Sequence, residues 1–384
     1  MAPLDIMEQK ALLLLLTLVP GIGPARIKSI VYHFSDLKEL LHAGIDALVT
    51  VPGIGESLAR QIHHFLHHAQ TRDGAMRLAE EQVNGLYRYN ASIVTLLDYN
   101  YPPLLKEIYD PPPCLFVRGK LPDMNSTGVA VVGTRNASQY GKQATAILCR
   151  ELVHHGIAIY SGLAYGIDMA AHTATIESGG ITVAVLASGV DTLYTDPQGK
   201  LWPRIIENGA IVSEEWLGSE LSPGKFPKRN RIIAGISSGT IVIESDLKGG
   251  SLITAAAALE QNREVFALPG SIFARTSRGT NKLIQQGHAK AVMGIEDILS
   301  ELGVALQKGS SGETKQHKQN ELLHSLTSLE QKIIRCMGTG PIHIDKLVTA
   351  SALDLPTLLV HLFELELKSA IEQQPGQFFM KKVL

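Results

Sequence analysis

The chain has 384 residues, 35 Lys and Arg against 37 Asp and Glu, and is 45% hydrophobic and 19% charged, which excludes a largely disordered polymer and suggests two or three domains. A net charge of −2 excludes a surface coated in positive potential, so a nucleic-acid partner would have to be met by basic groups gathered in one groove. Cys114, Cys149 and Cys336 lie far apart without CxxC spacing, which indicates neither a disulfide framework nor a zinc site.

Residues 1–85 read as a helical domain. Its apolar run ALLLLLTLVP is ten residues long, too short to span a bilayer and without a cleavage-site context, so a cytoplasmic protein with no membrane contact is expected. VPGIGPARIKSI from Val19 and VPGIGESLARQI from Val51 repeat at a spacing of 32, each reading as helix, Pro-Gly-Ile-Gly hairpin, helix. Gly21, Gly23, Gly53 and Gly55 would let backbone N–H groups approach a phosphate. The alternative is that the hairpins only pack helices together, since Glu56 would repel a phosphate at the second. HHFLHH (His63 to His68) sets histidines at i,i+4, a spacing that suits a metal, but no third ligand stands nearby and an exposed helix face is the better reading.

Residues 86–127 hold a strand, ASIVTLL, and five prolines between Pro102 and Pro113 that forbid a helix across the segment; they read as an extended lead-in. From 128 to 302 apolar strands alternate with amphipathic helices: GVAVVG, a helix from Ser138 to His155, IAIYSG, a helix from Ile167 to Glu177, ITVAVLAS, a helix from Lys200 to Asn208, AIVS, a basic stretch, TIVIES, a helix and EVFAL. That pattern predicts a Rossmann-like α/β domain with a parallel sheet covered on both faces and ligands beyond the carboxyl ends of its strands. Residues 303–320 read as a flexible linker. Three helices and a hairpin turning at Pro375-Gly376 then predict a winged-helix domain over 321–384. Its third helix is mostly Leu, His and Glu, which favours protein contact over groove reading.

The basic stretch FPKRNRIIAG, with Lys225, Lys228, Arg229 and Arg231 bracketing Asn230, reads as a phosphate-seeking loop. Lys225 would neutralise a phosphate and Phe226 would offer a stacking face. Arg229, Asn230 and Arg231 would open a helix whose dipole adds to their charge, or else Arg229 and Arg231 would tie loops together across the sheet top. Arg135, in the turn Gly133-Thr134-Arg135, would fork onto a phosphate or else pair with a carboxylate at the sheet edge. Ser161, Gly162 and Gly166 form a second glycine-rich turn. Gly250 and Ser251 would shape the neighbouring helix start. No Walker lysine, GxGxxG, nucleophile elbow or metal triad is present. Asp168 and Glu244 would be acids near the groove, each with a role in capping or loop closure.

The ordered motifs AVVGTR, SGLAYGID, FPKRNRIIAG, GSLITAAAA, REVFALPG and GTNKLIQQG resemble the DprA/Smf family of bacterial DNA-processing proteins over nearly the whole chain. The resemblance implies a homodimeric protein without cofactor or catalytic residues, which binds single-stranded DNA and delivers it to the RecA recombinase in natural transformation, with Arg135 a principal DNA contact and the dimer formed through Gly279 to Val292. Two departures stand out: Tyr165 where relatives carry a basic residue, and YTDPQGK in place of YPxxN, where Asp196 puts a DNA contact by that loop in doubt. The alternatives are a Rossmann-like nucleotide hydrolase or dinucleotide enzyme, and a scaffold in which the sheet is inert.

Overall fold

The computed structural model describes residues 3–304 and 327–381, apart from 339, 369 and 375; most of the expected linker lies outside them. The chain forms two compact units, divided at Ala305–Leu306.

In the first unit the apolar run becomes helix α1 (Pro3–Thr17). Leu13, Leu14, Leu15 and Leu16 are all buried, against Ile27, Ile30, Leu48 and Ile62. A helix apolar on every side is stable only when enclosed, and here α2 (Pro24–His33), α3 (Ile45–Val49), α4 (Glu56–His67) and α5 (Ala69–Arg88) provide the enclosure. The two hairpins turn at Gly21 and Gly53, whose φ values of 77° and 83° lie in the left-handed region that glycine enters at least cost. Arg26 joins them, donating from Nε to the Gly53 carbonyl at 3.0 Å and from Nη1 to that of Gly21 at 2.9 Å. Lys28 donates to the Ile108 carbonyl at 2.7 Å. Both cations that follow the first hairpin are therefore used to hold the unit together. The histidine pairs stack, His63 on His67 and His64 on His68, and the His67 ring nitrogens sit 2.8 and 3.0 Å from the carbonyl oxygens of His63 and Leu41.

The presumed lead-in is part of the sheet. Strands β1 (Ala91–Thr95) and β2 (Cys114–Gly119) pair antiparallel with each other, and β2 pairs antiparallel with β6 (Gly209–Ser213). The prolines do admit one short helix, α6 (Pro103–Glu107), because a proline in the first turn forfeits no intrahelical bond.

The other strands are β3 (Gly128–Val132), β4 (Ala158–Ser161), β5 (Thr182–Val185), β7 (Gly239–Val242), β8 (Glu264–Ala267) and β9 (Lys290–Ala291). The sheet runs β1-β2-β6-β5-β4-β3-β7-β8-β9, parallel from β6 to β9. Successive residues serve opposite faces. Val129 and Val131 pack with Leu148, Leu152 and Ile167 of helices α7 (Gln139–His154) and α8 (Ile167–Glu177). Ala130 and Val132 pack with Ile232, Ile233 and Ala255 of α10 (Lys225–Gly235) and α11 (Gly250–Glu260); α9 (Trp202–Glu207) leads into β6. Chain order reverses direction between β3 and β7, which makes their carboxyl ends the crevice where such sheets hold ligands. The helical part is fastened to this domain by Gln82, which accepts from the Leu217 N–H at 2.7 Å and donates back to its carbonyl at 3.3 Å.

The second unit has helices α14 (Ser328–Cys336), α15 (Ile344–Ser351) and α16 (Leu355–Leu367), after α12 (Arg278–Gln285) and α13 (Ile295–Glu301) of the first. Its hairpin, β11 (Ile371–Gln374) with β12 (Phe378–Lys381), gains a third strand from β10 (Ile342–His343). Thr327 and Glu330 form a capping box at α14, and the buried Glu330 carboxylate binds Lys368 at 2.7 Å. This is the expected winged-helix arrangement. No single described helix is long and apolar enough to cross a membrane.

Candidate nucleic-acid interface

The loops at the β3/β7 crevice interlock. Past β3, the Thr134 N–H donates to the Glu244 carbonyl at 2.8 Å and the Thr134 carbonyl accepts from the Ile167 N–H at 3.2 Å. A side chain at Gly166 would strike the Thr134 and Arg135 carbonyls, and its φ of 83° lies in the left-handed region, so this turn requires glycine. The Glu244 carboxylate accepts from the Ser138 N–H and hydroxyl at 2.8 and 2.6 Å and from Thr276 at 2.9 Å, which ties the start of α7 to β7. Asp168 is buried and accepts from the N–H groups of Gly162 and Ala164. Burial pushes its carboxyl above the usual range, against the opposing pull of Arg229. Both acids serve loop closure.

The basic stretch is not a loop that enters a helix at Arg229. It is helical from Lys225, with Pro227 in the first turn where its missing N–H costs nothing. A helix turns about 100° per residue, so charges adjacent in sequence point in different directions. Arg229 points into the sheet top, buried, donating from Nη1 to the Gly162 carbonyl at 2.6 Å and to that of Val185 at 2.8 Å. A Cβ on Gly162 would occupy the guanidinium's place. Arg231 leaves on another side, where it pairs with Glu214 and Asp110. Lys225, expected to neutralise a phosphate, pairs instead with Glu215 at 2.9 Å and donates to Ser219 Oγ and the Glu220 carbonyl, each at 2.6 Å. Lys228 is exposed, but it lines a crevice with Arg231, Glu214 and Glu215, away from the β3/β7 opening.

A cleft of about 340 Å³ remains at that opening, lined by Gly133, Thr134, Arg135, Ala164, Phe226, Arg229, Asn230, Gly250 and Ser251 among others. Arg135 is exposed, and among the described residues no carboxylate lies within ion-pair distance of it. Its guanidinium sits 5.4 Å from the centre of the half-buried Phe226 ring, with Arg229 at 6.0 Å from the same ring. Tyr194 meets that ring edge-on at 6.4 Å; in the sequence it stands only as the first residue of YTDPQGK, and no local pattern showed that it reaches Phe226. Asp196, the departure in this loop, is buried and accepts from the N–H groups of Lys200, Leu201 and Trp202 at 3.1, 2.6 and 2.9 Å. Its charge closes its own loop. Ser161 is buried with its hydroxyl on the Val131 carbonyl, and Ser251 bonds Ser245. Tyr165 stays exposed.

An unpaired guanidinium over an aromatic ring, above a floor of glycines, suits a polyanion with stackable bases. Residues 92–303 match the model of DNA recombination-mediator protein A. The chain belongs to that family. Residues 317–377 match the DprA winged helix domain and 13–67 the SAM-like helix-hairpin-helix tandem. Protein Smf of Synechocystis sp. is 32% identical over 95% of this chain and 96% of its own length. DNA processing protein DprA of Bacillus subtilis is 46% identical over 53% of this chain and 68% of its own. The X-ray structure of DprA from Streptococcus pneumoniae superposes with a TM-score of 0.60 at 30% identity, covering 78% of this chain and 98% of that one.

Proposed function

We propose that this member of the DprA family binds single-stranded DNA in the β3/β7 cleft, protects it, and passes it to RecA during transformation and recombination. The observation that carries the reading is Arg135: exposed, without a carboxylate partner among the described residues, and set over Phe226. A phosphate on Arg135 and a base on Phe226 or Tyr194 would use charge and stacking together, a combination that tolerates any sequence. The protein works as a binding protein rather than an enzyme in this reading, because Asp168 and Glu244, the acids nearest the cleft, are engaged in loop closure. It acts in the cytoplasm as a homodimer joined through the segment from Gly279 to Val292, next to which Ile272, Phe273 and Met293 present apolar side chains to solvent. Titration with oligo-dT and with a blunt duplex of equal length tests the central claim. Tighter binding of the single strand, falling with salt, is expected; equal or tighter binding of the duplex would overturn it.

A further inference from the structure

A second groove also includes Arg135 in its lining. It lies along α7 and α8 with a volume of about 720 Å³ and is lined by Arg135, Lys142, Gly166, Met169, Ala170 and Glu177 among others. Arg135 therefore borders both this groove and the β3/β7 cleft. Lys142 is exposed, and among the described residues no carboxylate lies within ion-pair distance of its ammonium. In a chain of net charge −2, two unpaired cations facing one trough are a specific concentration of positive potential. The lining bears no aromatic ring, and Gly166, Ala170 and Thr173 are small enough to let a ligand lie close to the helices. Such a trough suits a sugar–phosphate backbone with its bases turned outward. Glu177 is the one carboxylate in the lining, and a phosphate would be repelled from its neighbourhood toward Lys142 and Arg135.

We infer that the α7/α8 groove carries the continuation of the bound single strand, with Lys142 as a phosphate contact beyond Arg135. The inference rests on the proposed reading of the β3/β7 cleft. From Gly166 to Thr173 the helix rises about 10 Å, room for about three nucleotides at stacked spacing.

The test uses the full-length protein and fluorescently labelled oligo-dT of about six and about twenty nucleotides, one near the short end of single-module footprints and one beyond their long end. Lys142→Ala is expected to weaken binding of the long strand several-fold and to lower its salt slope by about 0.7, while leaving the short strand unaffected. Lys142→Arg should restore the long-strand affinity. Arg135→Ala should weaken both lengths. If Lys142→Ala binds the long strand with wild-type affinity and slope while Arg135→Ala is impaired, the groove is not part of the path and the cleft reading survives. Equal loss for short and long strands on Lys142→Ala would also overturn the inference, since Lys142 would then act within the main cleft. If Arg135→Ala changes neither length, the cleft reading itself fails. Lys142 is on the surface, so thermal melts of its variants should coincide with wild type.

Discussion

Arg135 and Lys225 carry the same charge, yet the first reaches solvent over the Phe226 ring while the second is held by Glu215, Ser219 and a backbone carbonyl. Only the first has a charge left for a ligand. In salt titrations with oligo-dT, Arg135→Ala should lose affinity and about 0.7 of the log–log slope, the share of one single-strand phosphate. Phe226→Ala should lose about 1–3 kcal/mol of binding with the slope unchanged, because stacking releases no counterions. A slope that moved with Phe226 and not with Arg135 would reverse these assignments. Arg229 belongs to another class. Its removal would take a cation from the neighbourhood of buried Asp168 and leave two buried carbonyls without their donor, at a cost of about 1–3 kcal/mol for each unmatched carbonyl. Arg229→Ala should therefore lower the melting temperature, and any loss of DNA binding should follow the folded fraction; full thermal stability with lost binding would make it a ligand contact.

At the scale of elements, α10 shows why a run of charges misleads. FPKRNR reads as one cationic patch, but helical rotation sends Arg229 into the sheet top, Arg231 toward Asp110 and Glu214, and Lys225 toward Glu215. The motifs bounding the cleft were legible because they are local: a strand, a glycine turn and a helix start each leave a short sequence pattern. The partner of each cation was not, because Arg229 and its acceptor Gly162 stand 67 positions apart. The packing of α8 against β5 holds a further element-scale consequence. His172 is buried, with Nδ1 2.7 Å from Thr182 Oγ1, and that hydroxyl donates to the Ile159 carbonyl at 3.0 Å, so the ring nitrogen is the donor of the pair. Burial, aided by Arg229, holds the imidazole pKa down to about 3. Between the ordinary histidine value of about 6.5 and that depressed one, the unfolded chain takes a proton that the folded chain refuses. Stability is then fully present above about pH 6.5 and falls as the pH drops, by up to about 1.4 kcal/mol per unit from this group. Urea unfolding at a series of pH values should show a shallower acid-side decline for His172→Gln; parallel declines would mean that the folded histidine protonates normally.

Across the whole molecule, every residue of the proposed path belongs to the first compact unit, while the winged helix has a core of its own in Ile333, Leu347, Leu358 and Phe379. A chain ended after Gln307 should keep its affinity for oligo-dT within a few-fold; a loss beyond tenfold in folded protein would make the winged helix a DNA-binding element. The order of the domains, the parallel core and the glycine turns at the strands' carboxyl ends were all legible in the sequence itself, because hydrophobic periodicity and glycine turns act over a few residues and survive without knowledge of neighbours. Tertiary structure decided what the polar groups do. It drew β1 and β2 into the sheet as antiparallel strands, spent Arg26 on joining two hairpins, and engaged Asp196 in closing its own loop. A cation's availability depends on whether a carboxylate or carbonyl lies within about 4 Å, and that neighbour is set by chain folding across tens or hundreds of residues, which no local pattern records.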